Sequence, residues 1–230
     1  FPTKGRDDLG LMVAATGAFN GWDMLNRFQY VSRVKEATQQ SATLGGFTSF
    51  DTLTDTLVTM SEYQSALLFR KGHITASEPK FVIVRDQTSV KTHAASTENE
   101  DLEINRMYIP HLFKMVTVYA DKPGEPYAIY KITPELTPEQ IASGNLPAQN
   151  KITITNSMTL KQVAETFINA IDDVNLKNNM LANLNQNKLV SDTGELIFDL
   201  NLNTYLINTP YAIGAVGTLN NNLFELGPVS

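Results

Sequence analysis

Lys80-Phe81-Val82-Ile83-Val84-Arg85 is the stretch at which the chain changes character. Its four consecutive apolar residues are aromatic or β-branched and too few for a helix, which fits a short strand. Downstream the pattern repeats. Phe113 to Tyr119 alternates, with Phe113, Met115, Thr117 and Tyr119 against Lys114, Val116 and Val118, and Tyr127 to Ile132 and Lys151 to Thr155 continue it. Pro123-Gly124, Pro126, Pro134, Pro138 and Pro147 punctuate the loops between them, because proline cannot donate to a ladder. One helix is expected to interrupt this region. Thr159 is its N-cap, and Leu160, Val163, Phe167, Ile171 and Val174 recur at helical spacing. The Asn-rich run from Asn175 to Asn187 reads as a surface helix end and loop, since Leu176, Met180, Leu181 and Leu184 break it up. The tail reads as three strands, Leu196-Ile197-Phe198, Thr204-Tyr205-Leu206-Ile207 and Ala212 to Thr218. Before them, Ser191-Asp192-Thr193-Gly194 forms a turn in which Asp192 accepts from the backbone two residues on and Gly194 takes a positive φ.

Upstream of Lys80 the reading is helix, strand, helix. Asp7 and Asp8 suit a helix N-terminus, Leu9, Met12, Val13, Thr16 and Ala18 follow at near-helical spacing, and Gly17 and Asn20-Gly21 end the run. Trp22 to Val31 looks extended and mostly buried, with Trp22, Met24, Phe28 and Tyr30 on one face. Ser41 to Ser49, with Gly45-Gly46, is a loop. Asp51 opens a second helix that turns Leu53, Leu57, Met60, Tyr63 and Leu67 one way and stops at a C′ glycine, Gly72. Val13, Leu57, Leu67 and Phe69 are expected to share a core. The fold class is therefore α+β: a short helix–strand–helix unit over residues 1–78, followed by a β-rich, sandwich-like domain with one packed helix over residues 79–230.

The 230 residues are 42% hydrophobic and 18% charged, the composition of a folded chain rather than a disordered one. A net charge of −6 offers no basic footprint for a phosphate backbone, so no nucleic-acid partner is expected. Without cysteine there are no disulfides, thiolate metal sites or cysteine nucleophiles. No apolar run approaches the ~18 residues of a membrane span. The start at Phe1, with neither an initiator Met nor a signal peptide, suggests a piece of a longer or processed protein.

Compact catalytic motifs are absent: there is no P-loop, no dinucleotide fingerprint, no nucleophile elbow and no His-Glu-x-x-His. No cofactor is expected. His73, His93 and His111 are far apart and lack helical ligand spacing, so no metal is expected either. The carboxylate pairs Asp7-Asp8, Glu98-Glu100 and Asp172-Asp173 fall in caps or polar loops and read as solvated charge. The aromatic run from Trp22 to Tyr30 is the place where rings suit sugar faces, with Asp23, Asn26, Arg27 and Gln29 able to bond hydroxyls. Core packing is the plainer reading of the same run.

Three stretches, in order, resemble the last part of large bacterial glycoside hydrolases of the β-galactosidase and agarase-like kind. They are Ala14 to Tyr30 (AATGAFNGWDMLNRFQY), Leu57 to Ile74 (LVTMSEYQSALLFRKGHI) and Ser191 to Gly217 (SDTGELIFDLNLNTYLINTPYAIGAVG). The first is similar to a helix leading into a Trp-Asp barrel strand, the second to a closing helix with a Leu-Phe-Arg-x-Gly signature. The third resembles a late Ser-Asp-Thr-Gly-Glu hairpin with a Thr-Pro turn, although Tyr211 stands where that family carries an Arg.

The resemblance implies that Trp22 to Tyr30 is the eighth strand of a (β/α)8 barrel, with the earlier strands and both catalytic carboxylates upstream of Phe1. This chain would then hold no catalytic residue and be inactive alone, since retaining hydrolysis needs two carboxyl groups about 5–5.5 Å apart. Barrel sites lie at the carboxyl ends of strands, which implies Gln29, Tyr30 and Arg33 as substrate-binding residues and a structural, buried Trp22. Implied partners are carbohydrate and the rest of the parent chain, in a bacterial, secreted or cell-surface setting. The alternative is a non-catalytic β-sandwich module of a bacterial surface protein that binds carbohydrate or protein.

Overall fold

The computed structural model describes residues 8–26, 56–91, 108–121, 127–155 and 157–220. The chain is α+β and divides into two compact units. One comprises the described residues of Phe1–Ala76 together with those of Leu202–Ser230, the other those of Ser77–Asn201. The first division thus falls at Ala76/Ser77, and the last segment clusters with the N-terminal part.

In the first unit, α1 (Asp8–Phe19) packs against α2 (Thr56–Lys71). Their contact is made through small side chains. A Cβ on Gly10 would lie 2.9 Å from both Ser61 Oγ and Ser65 Oγ, so the missing methyl is what lets the helices approach. Ser65 Oγ donates to the Ser61 carbonyl at 2.6 Å, which satisfies the buried hydroxyl within its own helix. Val58, Ser61, Ser65 and Leu68 are the buried residues of α2, and Ala14, Ala15 and Phe19 are buried on α1. This corrects the expected core: Leu57, Met60, Tyr63 and Leu67 are exposed, and so is Val13. Hydrophobic periodicity pointed to the wrong face because close approach selects by size.

At its C-terminus α1 closes with two bonds, Gly21 N–H to Ala18 O at 3.0 Å and Trp22 N–H to Gly17 O at 2.9 Å, with Gly21 at φ +67°. This is a Schellman arrangement, and the helix ends at Asn20-Gly21 as expected, whereas Gly17 lies inside it. A hairpin completes the unit: β7 (Thr204–Asn208) pairs antiparallel with β8 (Ile213–Gly217). Thr209 Oγ1 accepts from the Tyr211 and Ala212 backbone N–H groups at the Thr-Pro turn.

The second unit holds a mixed four-stranded sheet in the order β2 (Lys114–Ala120), β1 (Pro79–Asp86), β3 (Tyr127–Lys131), β4 (Lys151–Ile152). β1 runs parallel to β2 and antiparallel to β3. Pairing aligns Val82 and Val84 with Val116 and Val118 on one side and with Tyr130 and Ala128 on the other, and that face is buried under Ile132, Ile141 and Leu146. On the opposite face Phe81 meets Phe113 and Phe167 edge to face, at ring separations of 5.3 and 4.9 Å.

Phe167 comes from α6 (Leu160–Ala170), whose start is a complete Thr159/Gln162 capping box. The helix ends at Ala170, and Ile171 and Val174 do not continue it. Asp173 instead caps a further helix, α7 (Val174–Asn185), by accepting from Asn175 and Leu176 N–H. The Asn-rich run is thus mostly helix, with Met180 and Leu184 buried. Short helices α3 (Gln87–Lys91), α4 (Ile109–Leu112) and α5 (Pro138–Ser143) make this unit richer in helix than one packed element. The hairpin of β5 (Lys188–Val190) and β6 (Leu196–Asp199) turns at Ser191 to Gly194, where Gly194 N–H bonds to Ser191 O at 2.9 Å and φ of Gly194 is +77°.

Candidate functional site

Trp22 follows directly from the α1 terminus. The expected buried strand is not found over residues 22–26, which have no strand structure, and the indole is 49% exposed. Its ring is nevertheless held in place. A Cβ on Gly17 would lie 2.9 Å from the indole Cε3 and 3.3 Å from both Leu25 Cδ2 and Phe69 Cε2, so three side chains converge on the bare α-carbon. The Schellman bond from Trp22 N–H fixes the backbone that carries the ring.

Leu25 and Phe69 also line a cavity of about 330 Å³ between α1 and α2, which Val13, Asn26, Glu62 and Arg70 share. An aromatic face beside a carboxylate, an amide and a guanidinium suits a sugar, whose C–H faces stack while its hydroxyls bond. Among the described residues Glu62 is the single carboxylate lining the cavity. One carboxyl group cannot serve as both nucleophile and acid/base.

The other conspicuous groups have structural explanations. Asp172 pairs with Lys131, and Asp173 caps α7, so this carboxylate pair is spent on the fold. Burial holds the His111 imidazole well below its usual range, at about 4. Burial likewise pushes the Tyr205 phenol upward, against a hydrogen bond with Thr16. The Asp192 carboxylate accepts from Ser77 Oγ at 2.7 Å and lies 3.1 Å from Lys80 Nζ, a long-range clamp in place of the local turn bond expected of it. Among the described residues no group of three or more His, Asp or Glu side chains could hold a metal ion, and no helix is long and apolar enough to cross a membrane.

Gln29, Tyr30 and Arg33 lie outside the described residues, as do His93, the Ser41 to Ser49 loop and Asp51. What sequence reasoning missed is the pair of glycines. Gly10 and Gly17 are seven residues apart, two helical turns, and Ser61 and Ser65 four apart; those small-residue spacings carried the signal for where α1 and α2 meet. Compared with protein-family models, with curated proteins and with solved structures, the chain matches none.

Proposed function

We propose that this chain is the C-terminal part of a glycoside hydrolase-like, carbohydrate-active protein, without catalytic carboxylates of its own, and that it binds saccharide around Trp22. The observation that carries the reading is the half-exposed indole seated on Gly17, beside a cavity edged by Asn26, Glu62 and Arg70. Gln29, Tyr30 and Arg33 lie outside the described residues. Trp22 is the sole tryptophan, so fluorescence reports on the site directly. Titrating the 230-residue chain with neutral galacto-oligosaccharides is expected to give a saturable emission change that Trp22→Phe weakens in a calorimetric titration. An emission insensitive to these sugars overturns the site, and turnover of aryl galactosides by the pure chain overturns the non-catalytic reading.

A second reading, a protein-interaction module, is favoured by the exposed row Leu57, Met60, Tyr63 and Leu67 on α2.

A further inference from the structure

Asn20-Gly21 is the only Asn-Gly pair in the sequence. This dipeptide carries a chemistry of its own. Glycine has no Cβ to screen its nitrogen, so once the Gly21 N–H gives its proton to solvent the nitrogen can attack the carbonyl carbon of the Asn20 side chain. A bond forms between Gly21 N and Asn20 Cγ, the bond from Cγ to Nδ2 breaks, and the amide nitrogen takes up a proton and leaves as ammonia. Water then opens the succinimide ring on either side. Opening at Cγ gives aspartate in the normal chain, and opening at the α-carbonyl gives isoaspartate, with the backbone rerouted through Cγ. Gly21 recovers its N–H in both products, and nothing is oxidised or reduced.

The end of α1 holds both reacting groups. Asn20 is 8% exposed, and its Nδ2 donates to Thr16 O at 2.8 Å. Gly21 N–H donates to Ala18 O at 3.0 Å, while the Asn20 and Trp22 N–H groups on either side bond to Thr16 O and Gly17 O, each at 2.9 Å. Gly21 itself is exposed, so water and hydroxide reach its nitrogen, and the brake on the reaction is the bonded geometry rather than exclusion of solvent. Helix ends open at low cost, and each opening frees the pair to react. Reclosing does not undo the reaction. A carboxylate has no N–H to give to the Thr16 carbonyl. It also sets a negative charge at the negative end of the helix dipole, where the last turn of α1 carries no basic residue. Isoaspartate goes further, because its extra backbone carbon lies inside the closing turn and displaces Trp22 N–H from Gly17 O.

We infer that Asn20 is a latent modification site and a one-way switch: the closed end of α1 suppresses deamidation, and conversion after an opening releases the backbone that seats Trp22. The switch stands whatever Trp22 binds.

The test is incubation of the 230-residue chain at mildly alkaline pH, in buffer and in denaturing guanidinium chloride, followed by peptide mass spectrometry of residue 20. Conversion to aspartate and isoaspartate is expected to be slower in buffer than in denaturant by about tenfold or more. In denaturant Gly21→Ala should suppress it, because a Cβ then screens the nitrogen. Asn20→Asp, the product in the normal chain, should keep the helical circular dichroism of the parent but show shifted Trp22 emission and a lower urea midpoint. The comparison of buffer with denaturant uses the parent chain and needs no variant to fold. Equal conversion in the two solvents overturns the suppression by the fold, and absence of conversion in denaturant overturns the site. An Asn20→Asp chain with the parent's emission and midpoint overturns the switch.

Discussion

Ser77 Oγ donates to Asp192 Oδ2 across 2.7 Å, joining residues 115 apart in sequence. Lys80 Nζ reaches the same oxygen at 3.1 Å, and the Asp192 backbone N–H bonds to Leu112 O, so the turn is tied to both the start of β1 and the end of α4. The Asp192 side chain is only 3% exposed. Truncation would leave the half-buried Lys80 ammonium without this carboxylate and the Ser77 hydroxyl with only the longer bond to the Glu78 carbonyl, at 3.1 Å. Asp192→Ala is expected to lower unfolding free energy by about 2–4 kcal/mol in urea titration at pH 7. Asp192→Asn should lose less, because its amide oxygen can still accept from Ser77. A midpoint unchanged in Asp192→Ala would show the clamp to be idle.

Gly194 in the same turn needs φ +77°, and a Cβ there would meet nothing within 4 Å. The cost of a substitution is therefore backbone strain without steric conflict. Gly194→Val should destabilise by about 1–2 kcal/mol and Gly194→Asn by clearly less, since Asn tolerates the left-handed region. Equal losses in thermal melts of the two variants would contradict this account.

Gly17 presents the opposite case. Its helical backbone would accept any residue, and alanine would even gain about 1 kcal/mol of helix propensity. Its Cβ, however, would press on the Trp22 ring at 2.9 Å and touch Leu25 and Phe69. Overpacking of this kind costs about 1–3 kcal/mol, so Gly17→Ala should be net destabilising. It should also shift Trp22 emission, because the ring must move. A stabilised variant with unchanged emission would refute the close contact.

The same geometry explains what the sequence could and could not reveal. Strands came through clearly: Phe81 to Val84, Phe113 to Tyr119, which begins one residue later at Lys114, and Thr204 to Ile207 carry runs rich in β-branched and aromatic residues, and all three are paired. Local caps were legible too, because Thr159 and Asn20-Gly21 act within one turn of themselves. The facing of α2 was not. Leu57, Met60, Tyr63 and Leu67 form the more apolar stripe, yet it is Ser61 and Ser65 that come closest to Gly10, a fact visible only once α1 and α2 are placed together. Trp22 was misread for a similar reason. A β-like alternation begins at it, but the helix terminus consumes its backbone N–H first. The Asp192 clamp depends on residues more than a hundred positions apart, and no local pattern announces it.

The corrected facing of α2 has a measurable consequence at two adjacent leucines. Leu68 is 7% exposed and Leu67 is 45% exposed. Leu68→Ala should cost about 2–5 kcal/mol, as core truncations do, and Leu67→Ala under about 1 kcal/mol. Comparable losses in the two would restore the facing that periodicity suggested.

His111 makes stability depend on pH with a definite sign. Burial lowers its imidazole from 6.5 to about 4, so between those values the unfolded chain binds a proton that the folded chain refuses. The unfolded state then gains on acidification. Stability from this group is intact above about pH 6.5 and falls as the pH drops toward 4, by about 2 kcal/mol between pH 7 and pH 5. The exposed carboxyl of Glu135 is lowered by hydrogen bonds from Thr133 and its own backbone, and that of Glu139 by hydrogen bonds from its own backbone and Thr137. Urea midpoints of the parent chain and of His111→Gln, compared at pH 7 and pH 5, isolate the effect. The parent should lose stability across that interval and the variant should lose markedly less. Parallel losses would show that His111 is not the group responsible.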